Sequence, residues 1–182
     1  MPEALIVIDV QRAFADPVWG PRDNPECEAN IASLIADFRR REQPVVFVRH
    51  DSTEPGSTLA PGHPGNAFQD VITVEPDLLV TKHVNSAFLG EPALGPWLDE
   101  CGITQITICG ITTNHCCETT ARMGGNLGYD VTFVIDATHT FDRATPDGEV
   151  IPAATIAKVT AANLDGEFER VVRTRDVLAA TA

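Results

Sequence analysis

Six short apolar runs constrain this chain more than any other feature, because most of them are apolar throughout rather than alternating. They fall at residues 4–8, 44–48, 78–80, 105–109, 131–135 and 170–172. A strand with one wet face alternates apolar and polar side chains, whereas a continuously Val/Ile-rich strand is covered on both faces, as in a parallel sheet sandwiched by helices. Helix-like segments lie between the runs at 24–41, 92–101, 116–127 and 153–164, with Gly102, Gly128 and Gly166 placed just past helix ends. Such alternation predicts an α/β fold of three layers, α-β-α, around a mostly parallel sheet.

The bulk properties narrow the function. The 182 residues suit a single domain spanning 1–182, and a hydrophobic content of 43% suits a packed core. A formal net charge of −13 argues against nucleic acid as a partner, since that affinity comes from Lys and Arg neutralising phosphates, and equally against an anionic membrane surface. Met1-Pro2-Glu3 is acidic where a secretory leader would be basic, and no run approaches the ~18 apolar residues of a membrane span. Five cysteines, Cys27, Cys101, Cys109, Cys116 and Cys117, form an odd set without C-x-x-C spacing, which fits neither a disulfide framework nor a tetrahedral zinc site. A reducing cytoplasm is the expected compartment.

In a parallel sheet the ligand site lies beyond the carboxyl ends of the strands. Polar residues that follow apolar runs therefore merit inspection, and three stand out: Asp9 after ALIVI, Lys82 after LLVT, and Cys116 past ITICG. By position alone, Asp9 equally suits a turn, Lys82 a solvated charge, and Cys27, Cys101 and Cys109 inert core positions. Together, a carboxylate, an ammonium and a thiol make a catalytic set in which Asp9 moves protons, Lys82 stabilises a thiolate, and Cys116 is the nucleophile. The junction QITICGITTNHCCETTAR puts a cysteine pair where a helix begins, and the helix dipole there is expected to favour thiolate. Residue chemistry alone does not choose between Cys116 and Cys117. Backbone N–H groups of Thr112 and Cys116 are placed to hold an oxyanion, a contact worth ~3 kcal/mol per donor. Residues 51–70, rich in Pro and Gly, are too long for an ordinary connector and read as a lid or binding loop.

The segments LIVIDVQRAF, TKHVNSAF and CGITTNHCCETTAR resemble the three signature blocks of the isochorismatase-like cysteine hydrolases, a superfamily that includes nicotinamidases, carbamoylsarcosine hydrolases and streptothricin hydrolase. The similarity runs from about residue 4 to about 175. It implies a six-stranded Rossmann-like sheet and an Asp9–Lys82–Cys116 triad, with Gly110 and Thr113 setting the register that selects Cys116. It also implies a cis peptide before Thr112, a homodimer or homotetramer, and a role for residues 136–143 in the site rim or a subunit contact. Nicotinamidases hold a metal on Asp-x-His plus a later His; here Asp51 is followed by Ser52 and Thr53, so only His50 and His63 remain, and no metal or other cofactor is expected. Phe14, Trp19 and Phe88 are candidates for an apolar substrate wall, and Asn85 for supporting Lys82 or touching substrate. His115 is read as a loop residue pointing away from Cys116.

Three functions compete. The first is hydrolysis of a C–N bond in a small amide or lactam through a thioester. The second is cleavage of an isochorismate-like vinyl ether, for which the cysteine is dispensable. The third, non-catalytic small-molecule binding at the strand rim, lacks any G-x-G-x-x-G or G-x-x-x-x-G-K motif.

Overall fold

A computed structural model describes residues 2–180; positions 1, 181 and 182 of the expected domain lie outside the described residues. Its strands are β1 (Glu3–Ile8), β2 (Val45–His50), β3 (Leu78–Lys82), β4 (Gln105–Ile111), β5 (Asp130–His139), β6 (Arg143–Ala144), β7 (Val150–Ile151) and β8 (Arg170–Val172). The helices are α1 (Cys27–Arg40), α2 (Leu94–Glu100), α3 (Glu118–Asn126), α4 (Ala153–Leu164) and α5 (Thr174–Ala179). Six strands form one sheet in the order β3-β2-β1-β4-β5-β8, and every neighbouring pair is parallel. The expected three-layer α/β fold is the one observed. The short α5 and the β6–β7 hairpin have no counterpart in the sequence reading, because neither carries an apolar run long enough to show a period.

The continuous apolar runs are explained by the two faces of the sheet. Alternate residues of β1 divide between them: Ala4, Ile6 and Ile8 pack with Leu94, Leu98, Ala121 and Leu164 of α2, α3 and α4, whereas Leu5 and Val7 pack with Ile31, Leu34, Ile35 and Phe38 of α1. The spacing of those four α1 residues is the i, i+3, i+4, i+7 stripe of an amphipathic helix. Each such fully buried side chain contributes about 1.5–3 kcal/mol.

Strand order reverses between β1 and β4, the switch point at which a parallel sheet opens a crevice. The two strands approach closely here, beside a register shift in the β4–β5 ladder between Ile108 and Gly110. Gly110 has φ +133°, and a Cβ at this position would lie 2.0 Å from the carbonyl oxygen of Ile8. Only glycine tolerates both the dihedral and the contact. Gly110→Ala is therefore expected to lower stability by about 3 kcal/mol or more, read as a drop in the urea midpoint at unchanged m-value.

On the helical face beyond the sheet, Glu169 is 9% exposed and neither carboxyl oxygen has a hydrogen-bond partner among the described residues. Nearby Glu118 accepts from Thr160 at 2.7 Å and from Arg122 at 2.8 Å, so the local cation is already engaged. Burial, together with the charge of Glu118, pushes the Glu169 carboxyl up to about 8. The folded state thus prefers the proton, and the stability this supplies is full below the unfolded value near 4.5 and is lost as pH rises through about 8. Each pH unit crossed in that window costs about 1.4 kcal/mol. Glu169→Gln is expected to flatten the fall in melting temperature between pH 5 and 8.5 (about the window above) and to melt higher than wild type at the alkaline end.

Candidate active site

Strand ends bring the polar residues together. Asp9 is the first residue past β1 and turns the chain with φ +51°. His50 ends β2 and Lys82 ends β3, and the parallel register sets them side by side. Beyond β4 the Ile111–Thr112 peptide is cis, as the resemblance implies, and one π-helical turn, Thr113–Cys117, delivers Cys116 ahead of α3. Gln11 fixes the neighbouring backbone by donating to the His50 carbonyl at 3.0 Å and accepting from the His50 N–H at 2.9 Å.

Lys82 lies at the centre of this cluster. Its Nζ donates to Asp9 Oδ2 at 2.5 Å, to Cys116 Sγ at 3.3 Å and to His50 Nδ1 at 3.3 Å. An ammonium can only donate, so His50 Nδ1 accepts, and the ring carries its proton on Nε2. Burial alone pulls the lysine pKa down, but the Asp9 carboxylate and the Cys116 sulfur more than offset it, leaving the ammonium above its ordinary value. Burial and the adjacent Lys82 charge lower His50, which is neutral at pH 7. Asp9 is fully buried and its second oxygen, Oδ1, has no hydrogen-bond partner among the described residues.

The thiol corrects one expectation. Cys116 is 8% exposed, and desolvation, reinforced by the Asp9 carboxylate, pushes its pKa well above that of a free thiol despite the opposing pull of Lys82. At rest the sulfur is a thiol beside a carboxylate, rather than the thiolate anticipated from a helix start. Cys116 Sγ donates a weak hydrogen bond to Asn85 Oδ1 at 3.7 Å. Cys117 is fully buried in the apolar core, as are Cys27 and Cys109.

A cavity of about 180 Å³ opens over Sγ, lined by Asp9, Phe14, Trp19, His50, Leu59, Asn85, Thr112, His115, Thr140, Phe141 and Arg143. Trp19 stacks between Phe14 and Phe141 at centroid distances of 5.2 and 5.5 Å, and its Nε1 donates to the Ala13 carbonyl. Phe14, Trp19 and Asn85 therefore lie where the sequence reading put them. Phe88 does not. Ser86 caps a short turn, Ala87–Leu89, that carries the ring away to stack on Tyr129 at 5.4 Å, outside the cavity. His115 is the opposite case: the π-helical turn brings it to the cavity wall beside Cys116. Residues 136–143 contribute Thr140, Phe141 and Arg143 to the rim, and the long loop contributes Leu59. Sequence reasoning weighed His50 only as a metal ligand and placed Thr140 only within the rim segment 136–143; the strand-end rule applied to β2 would have singled out His50.

The donor set does not suit the metal that the resemblance raised. The Asp51 carboxylate is held by Arg49 at 2.8 and 3.1 Å and by Asn66 at 2.9 Å, while exposed His63 accepts from the Gly65 N–H through Nδ1. Donor atoms of Asp9, His50 and Cys116 do lie within 4.8 Å of one another. Lys82 Nζ, however, contacts all three residues, so the position a cation would take is already that of an ammonium.

Comparison with known proteins agrees with this architecture. Residues 3–162 match the isochorismatase domain. A structure of the isochorismatase family from Chromobacterium violaceum ATCC 12472 superposes with a TM-score of 0.92 at 39% identity, covering 99% of this chain and 93% of that one. The isochorismatase family protein YrdC of Bacillus subtilis is 36% identical over 97% of this chain and 94% of its own. A streptothricin hydrolase of Streptomyces noursei is 30% identical over 94% of this chain and 62% of its own. The chain belongs to the isochorismatase family of hydrolases.

The buried pair makes a test that is independent of activity. Lys82→Met leaves the Asp9 carboxylate buried without its cation and is expected to destabilise by about 3–5 kcal/mol. The double variant Asp9→Leu/Lys82→Met removes both charges and is expected to recover most of that loss, measured as denaturant midpoints of the two proteins.

Proposed function

We propose that this protein is a cysteine hydrolase that cleaves the C–N bond of a small amide or lactam through a thioester, with Asp9, Lys82 and Cys116 as its triad. The observation that carries this reading is the Lys82 ammonium, hydrogen-bonded at once to Asp9 and to Cys116 in a buried cluster at the floor of the cavity. Similarity to a streptothricin hydrolase supports hydrolysis as the reaction.

The chemistry follows from the resting protonation. As the Cys116 sulfur attacks the substrate carbonyl, its proton passes to the Asp9 carboxylate and the C–S bond forms. The carbonyl electron pair moves onto oxygen, where the N–H groups of Thr112 and Cys116 receive it. Lys82 keeps the carboxylate and the developing thiolate in one place without itself giving up a proton, which its raised pKa resists. Asp9 then protonates the leaving nitrogen, the C–N bond breaks, and an amine departs. Water enters, loses a proton to Asp9 and attacks the thioester; the C–S bond breaks and the thiol is restored. A thiol at rest favours this cycle, because the proton needed by the leaving group is already in the site.

Cys116→Ala is expected to lower kcat on a primary-amide or lactam substrate by at least about a thousandfold, with the fold unchanged by circular dichroism. Turnover retained by Cys116→Ser, or turnover only of an isochorismate-like vinyl ether, would sink the thioester route.

A further inference from the structure

A second cavity, of about 470 Å³, adjoins the first and shares Trp19, His50, Leu59 and Asn85 with it. Its chemistry differs from that of the first. Around Cys116 the walls are the rings of Phe14, Trp19 and Phe141, with Arg143 at the rim. The second cavity adds Ser52, Glu54, Ser57 and His83 to a wall that also holds Leu59 and Val84, and among the described residues lining it Glu54 is the one carboxylate and no lysine or arginine occurs.

Hydrogen-bonding capacity in this cavity is set by neighbours. Lys82 occupies His50 Nδ1, so the other ring nitrogen carries the proton and donates. His83 Nδ1 donates to the Asp51 carbonyl at 2.5 Å, so its other nitrogen accepts when the ring is neutral. Asn66 holds the loop that supplies Ser52, Glu54 and Ser57 by donating to the Leu59 carbonyl at 2.8 Å and to Asp51 at 2.9 Å. The cavity is thus an open chamber whose exposed rim carries Glu54 and His83, and it begins one hydrogen bond from the nucleophile, because Asn85 Oδ1 is 3.7 Å from Sγ.

We propose that this chamber is the leaving-group subsite, and that the substrate is a secondary amide whose nitrogen carries a short ammonium-bearing substituent. The inference rests on the cysteine-hydrolase reading for its geometry. With the carbonyl carbon at Sγ and the carbonyl oxygen at the Thr112 and Cys116 N–H groups, the acyl side lies against the aromatic walls. A substituent on nitrogen extends past Asn85 and His50 into the second chamber. Charge sets the same direction: an ammonium is attracted by Glu54 and repelled by Arg143 at the other end.

The test separates recognition from turnover. Three amides of one acyl group are compared, unsubstituted, N-propyl and N-(2-aminoethyl), the last two matched in length. Binding is measured by NMR titration to Cys116→Ala, which needs no chemistry. The aminoethyl amide is expected to bind about fivefold more tightly than the propyl amide, the range of an exposed charge pair, and Glu54→Gln in the same background is expected to bring that ratio close to unity. Equal binding of the two, a preference for propyl, or a ratio unmoved by Glu54→Gln overturns the subsite. Turnover of the three amides by the wild-type protein reads the hydrolase assignment separately: if none is consumed that assignment falls, while the binding ratio still decides the chamber.

Discussion

An ammonium group withdrawn from water is held only by what surrounds it, and much of this structure follows from how Lys82 is held. Isolated in a medium of low polarity, a lysine surrenders its proton. Here three acceptors meet Nζ, one carboxylate, one sulfur and one imidazole, each delivered by the carboxyl end of a different strand or the turn beyond it. Their convergence demands a parallel sheet, because only then do β1, β2, β3 and β4 end at the same rim. It also demands that β1 and β4 come close enough at the switch point for glycine alone to fit at position 110. The backbone precision of the sheet and the charge state of the site are one constraint seen at two scales.

That constraint also decides how the cysteine is used. A helix start offers roughly half a positive charge to a thiolate, but the cost of desolvating a thiolate sealed from water outweighs it. At Cys116 burial dominates, and Asp9 adds to it. What Lys82 holds is therefore a carboxylate and a protonated sulfur, each hydrogen-bonded to the same ammonium. On the proposed hydrolase reading, activation by proton transfer to a base would replace activation by a depressed thiol pKa, and the same proton would then serve the departing nitrogen.

Much of this was legible in the sequence, for reasons that explain what was not. Asp9, Lys82 and Cys116 were accessible because a strand-end rule depends only on where apolar runs stop, and β1, β3 and β4 stop cleanly. The sheet was legible because runs apolar on both faces have few other homes. Phe88 was misplaced because proximity in sequence to Lys82 says nothing of direction: the intervening turn is set by Ser86 and by Thr120, which accepts from the Ala87 N–H across 33 residues. His115 lines the cavity, a placement set by the π-helical turn, while its ring nitrogens bond to Thr112 and Asn114. His50 was considered only as a metal ligand, yet its contact with Lys82 depends on the register between β2 and β3, which no single strand encodes.

The treatment of positive charge at the strand rim unites these observations. Two carboxylates sit near the ends of β1 and β2, and each is satisfied by a cation of the chain itself, Asp9 by Lys82 and Asp51 by Arg49. The consequences differ because the cations differ. A guanidinium engages Asp51 through two nitrogens and immobilises it as a structural strut for the long loop, aided by Asn66. A lysine engages only one oxygen of Asp9, leaving Oδ1 without a hydrogen-bond partner among the described residues. Exchanging the two cations would leave the charges balanced, yet a bidentate partner would occupy the oxygen through which Asp9 acts in the proposed chemistry. On that reading a lysine at position 82 serves proton transfer as much as charge.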